Sequence, residues 1–112
     1  MHQINYNKAE KLAVDIRATH ESIDDALANV ATLTSSVLEV CRVSEIHPAK
    51  SQAVIVELAG GLTKLADARG GFLGAHRQIA KVQRDSNLQE VDFGCLNPPS
   101  GLAPAGLHVV NG

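Results

Sequence analysis

The sequence predicts an all-α fold: two long antiparallel helices forming a helical hairpin, with an irregular Pro/Gly-rich C-terminal tail, expected to dimerise into a four-helix bundle. Three observations predict it. From Asn7 to about Ser44, apolar residues recur at steps of three and four with no Gly or Pro among them. A second run of the same spacing extends from Pro48 to about Ser86. Only the short stretch "SEIHPAKS" separates the two, and a connection that short returns the chain antiparallel to itself.

The first helix is expected over about 7–44. Asn7 is a competent N-cap and Glu10 stands three residues on, a capping-box spacing. The apolar stripe reads Leu12, Ile16, Ile23, Val30, Leu33, Val37 and Val40, widened by Leu27 and Cys41. The turn is expected at 44–48. Pro48 disfavours helical geometry at His47 and suits the first turn of a new helix, with His47 as a candidate N-cap. The second helix, about 48–86, carries Ile55, Leu58, Leu62, Leu65, Phe72 and Ile79, interrupted by Arg69 and His76; "RDSN" marks its end. Residues 1–90 are therefore read as the hairpin and 91–112 as the tail. The tail holds three of the four prolines but also Phe93, Cys95, Leu96, Leu102, Leu107, Val109 and Val110. That is too apolar for a solvated linker, and Phe93 to Leu96 are expected to pack on the helices.

Composition narrows the function. Ten Lys and Arg against twelve Asp and Glu give a net charge of −2, and the basic residues are scattered. A nucleic-acid partner, which requires a basic face, is not expected. The opening "MHQINYNKAEK" lacks the apolar core of a signal peptide. No apolar run reads as a membrane span, so a cytoplasmic protein is expected. Cys41 and Cys95 show no metal or CxxC spacing and read as small apolar residues. No nucleophile–base arrangement is recognisable, so no enzymatic activity and no cofactor are expected.

One stretch stands out: "ARGGFLGAHR", residues 68–77. Gly70, Gly71 and Gly74 sit inside a helix, where each costs about 1 kcal/mol relative to Ala. Folding the hairpin about residue 46 brings Arg69 to Asp24 or Asp25, His76 to Ile16 through His20, and the glycines to Thr19 through Ile23. Three chemistries compete for this region. It can be a polar layer in which Arg69 pairs with Asp24 or Asp25 and fixes register, with Gly70 and Gly74 permitting close helix approach. It can be a ligand site in which Arg69, His76 and Arg77 donate to an anionic group. Or His20, His76 and Asp24 can converge as metal ligands, although the i, i+4 His spacing and the Glu-x-x-His pattern of helical metal sites are both missing. No metal is expected.

Length and layout resemble the WXG class of small secreted helical hairpins, but the turn is "IHPAK" and the chain has no Trp, so no property of that class is carried over. Apolar residues also spill beyond one stripe, at Val14, Leu38 and Val43 on the first helix and Val54, Val56 and Leu73 on the second. A lone hairpin would leave them wet. The expected function is that of a non-enzymatic interaction or scaffold protein, binding copies of itself and possible further proteins through bundle surfaces and its tail. The alternative is a small-ligand module with an anionic pocket beside Arg69 and the glycines.

Overall fold

The computed structural model describes residues 2–89, 91–92 and 108–109. Helix α1 spans Tyr6–Val43 and helix α2 spans Pro48–Arg84, and together they form the expected hairpin.

Each helix boundary has a local chemical cause. Asn5, not Asn7, caps α1: its Oδ1 accepts the Lys8 N–H at 3.0 Å, and its carbonyl accepts the Ala9 N–H at 3.0 Å. The difference goes with Ile4, which is held by Asn87 just after the end of α2, where the chain enters the helix. The α1 C-terminus closes in a Schellman turn. Ile46 N–H reaches the Cys41 carbonyl at 2.9 Å and Glu45 N–H reaches that of Arg42 at 3.2 Å. Glu45 occupies the left-handed position, with φ 55°, where glycine is usual. His47 then caps α2. Its Nδ1 accepts the Ala49 N–H at 3.1 Å, and Pro48 opens the helix without forfeiting a hydrogen bond.

The chain divides into two compact units, Met1–His20 with Gly71–Gly112, and Glu21–Gly70. In the second, the turn unit, the buried and half-buried columns alternate strictly by four and three: Ile23, Leu27, Val30, Thr34, Val37 and Cys41 on α1; Ser51, Ile55, Leu58, Leu65 and Arg69 on α2. Leu62 lies on the same α2 column and is 39% exposed. This is the heptad seam of a coiled coil. In the first, the terminal unit, the same steps pass through Ala9, Ala13, Ile16 and His20, and through His76, Ile79 and Gln83; Phe72, expected in the α2 stripe, falls on the same column but is 48% exposed. The seam differs from the expected α1 stripe. Leu12, Leu33 and Val40 stand one position before it and are exposed at 38%, 50% and 60%.

In the terminal unit, Ala9 and Leu88 form a small buried cluster against which Ile4 and Ile79 pack. Around it the residues before α1 and after α2 lock together. His2 N–H donates to the Asp85 carbonyl at 2.9 Å, and Asn87 N–H donates to the His2 carbonyl at 3.0 Å. The Asn87 side chain accepts the Ile4 N–H and donates to the Ile4 carbonyl at 3.1 Å. Ser86, fully buried, donates to the Gln83 carbonyl at 2.6 Å and accepts the Leu88 N–H at 3.0 Å. Beyond Leu88, strand β1 (Val91–Asp92) pairs antiparallel with strand β2 (His108–Val109). The expected packing of Phe93 to Leu96 lies outside the described residues.

Candidate functional site

The residues singled out by sequence fall into separate local groups. In the turn unit, Arg69 Nε donates to Asp24 Oδ1 at 2.7 Å, and both side chains are about half exposed, at 42% and 55%. Arg69 stands on the seam column, and Asp24 follows Ile23 on the facing helix, so the guanidinium leaves the seam sideways to reach it. The pair is a surface feature, not a sealed layer. Exposed pairs of this kind contribute about 0–1 kcal/mol.

In the terminal unit, His76 is buried and its ring lies 5.6 Å from that of His20, tilted by 31°. Both line a cleft of about 170 Å³ with Leu12, Asp15, Ile16, Thr19, Phe72, Ala75 and Ile79. The cleft is mainly apolar and falls below the roughly 300–1,000 Å³ usual for small-molecule sites. Among the described residues no three His, Cys, Asp or Glu gather as metal ligands.

The glycines lack the close intramolecular approach that the spacing suggests. A Cβ built at Gly70 or Gly71 meets nothing within 4 Å, and one at Gly74 meets only Arg77 Nη2, at 3.7 Å. Gly60 and Gly61 are equally open. At this stretch Arg69 is half exposed and the space over Gly70 and Gly71 is open.

Two features escaped the sequence reading. Arg17, which reads as ordinary surface charge, has Nη2 buried with no hydrogen-bond partner among the described residues. The Ser86–Asn87 lock carries no local pattern, because Asn87 recognises backbone 83 residues away. One further property differs from the expectation. An 18-residue window of α1 reaches a mean hydropathy of 1.2, so α1 meets the length and composition of a membrane span. A bundle helix with two apolar columns meets the same test.

No family model, curated protein or solved structure matches the chain.

Proposed function

We propose that the chain is a non-enzymatic helical interaction protein that works as a homo-oligomer. The observation that supports this reading is the distribution of apolar surface. Among the described residues the buried apolar side chains are Ala9, Ala13 and Leu88, while thirteen large apolar side chains are exposed, among them Leu33, Val40, Val43, Val54, Val56 and Val82. Hydrophobic burial is the dominant favourable term in folding and in most protein association. A hairpin that buries so little within itself gains by burying more against a partner. Contiguous exposed apolar surface marks such sites.

The alternative, a module for a small anionic ligand beside Arg69, draws less support. The Arg69 charge is already met by Asp24, and the cleft beside His20 and His76 is small and largely apolar. Multi-angle light scattering of the full chain at micromolar concentration tests the proposal. At least twice the chain mass is expected, and a monomer refutes it.

A further inference from the structure

The heptad register of the turn unit leaves one edge of the hairpin without a polar side chain. Ala26, Leu33 and Val40 stand immediately before the α1 seam positions Leu27, Thr34 and Cys41, one in each heptad. The matching α2 positions are Val54, Gly61 and Ala68. In antiparallel coiled coils these two columns lie on the same edge, and they are ordinarily filled by Glu and Lys. Here all six are apolar or glycine, and Leu33, Val40 and Val54 are exposed at 50%, 60% and 46%. The opposite edge of the unit carries the Arg69–Asp24 pair and Gln52, with Leu38 as its one large apolar side chain. The uncharged edge is continuous with the seam, and three apolar columns per heptad are what a helix of a bundle presents to its core.

We infer that this edge is covered by the same edge of a second copy of the chain, with Leu33 of each copy seated over Gly61 of the other. This rests on the self-association proposed above and names its surface. The argument for a second copy is self-complementarity. The register set by Arg69 and Asp24 places Leu33 level with Gly61, Val40 level with Val54, and Ala26 level with Ala68. A two-fold axis parallel to the helices brings α1 of one copy opposite α2 of the other. The large Leu33 then meets glycine, Val meets Val, and Ala meets Ala. The space over Gly61 is open, since a Cβ there meets nothing within 4 Å. Two-fold contacts are the commonest in soluble oligomers, and they require one patch to fit itself. An occupant of either charge finds no partner among these six residues.

The test compares the full chain with three variants by sedimentation equilibrium, with helix content followed by circular dichroism. Leu33→Glu places unpaired carboxylates in the contact and is expected to raise the dimer dissociation constant by about a hundredfold or more. Gly61→Leu fills the receiving space and is expected to do the same. It exchanges the poorer helix former for a better one, so loss of dimer there does not arise from a weakened helix. Leu38→Glu, on the opposite edge, is expected to leave the dimer within about threefold of wild type. A wild-type dimer that survives both Leu33→Glu and Gly61→Leu overturns this inference and leaves self-association standing. A wild-type monomer, including one that floats with neutral lipid vesicles, overturns both.

Discussion

Replacing Gly60, Gly70 and Gly71 together by Ala should stabilise the protein. All three lie inside α2, away from its ends and off the seam, where Ala is favoured over Gly by about 0.8–1.0 kcal/mol per residue. The added methyl meets nothing within 4 Å at any of the three positions, so no packing penalty offsets the gain. The sum is about 2.5–3 kcal/mol. For a domain of this size 1 kcal/mol moves the melting temperature by about 4–8 °C near the small end of the range, so a rise of the order of 10–20 °C is expected. Equilibrium urea unfolding, fitted at fixed protein concentration, measures the gain directly and shows through a constant slope that the unfolded state is unaltered. An unchanged or lowered midpoint would refute the reasoning, because it would mean that something packs against this backbone in solution. Gly61→Ala, measured alone, should gain less than its neighbours in the associated state, since its methyl enters the space assigned to Leu33 of the second copy.

The other expectations concern the turn, the lock and the ion pair. Glu45→Gly relieves a left-handed backbone at the Schellman position and should stabilise by about 1 kcal/mol, read from the urea midpoint; a loss would show that the Glu side chain holds the turn. Ser86→Ala removes two hydrogen bonds at a fully buried site and leaves the Leu88 N–H unmet, so a loss of about 1–3 kcal/mol is expected in the same assay, and no change would mean the lock is open in solution. Arg69→Leu should hold or raise stability, because it exchanges a half-exposed ion pair for an apolar seam residue; a drop beyond about 3 kcal/mol would identify a buried pair instead.

The helices, the turn and the pairing of Arg69 with one of the two acids Asp24 and Asp25 were legible because they rest on local or strictly periodic signals; the structure selects Asp24. Three-and-four spacing marks a helix, Pro48 marks a start, and a short connection fixes the level at which the two strands of the hairpin meet. The choice of buried column was less legible. Leu33 and Val40 stand beside Val30, Thr34, Val37 and Cys41, and both columns recur at the same interval. A single helix with two adjacent apolar columns does not declare which faces its neighbour. Small or polar seam members such as Ala9, Ala13 and Thr34 add nothing to an apolar count. Asn5 and Asn7 offer equal caps in isolation, and contacts made by Asn87, just beyond α2, decide between them. The glycines were read as a close approach because their cost invites one, yet the space over them is open within the chain.

The lock at the open end of the hairpin has a kinetic corollary. Asn87 joins Ile4 across 83 residues of chain. Closing so long a loop in a disordered chain is entropically unfavourable before other contacts reward it. The Schellman turn, by contrast, closes over six residues, from Cys41 to Ile46. Folding is therefore expected to run as a zipper from Glu45 outward, heptad by heptad, with the lock closing last, when the helices have already brought its halves together. The reverse order is expected on opening. Amide protons of Ile4 and Asn87 should exchange ahead of those in the seam, and a substitution in the lock should accelerate unfolding while leaving the folding rate nearly unchanged.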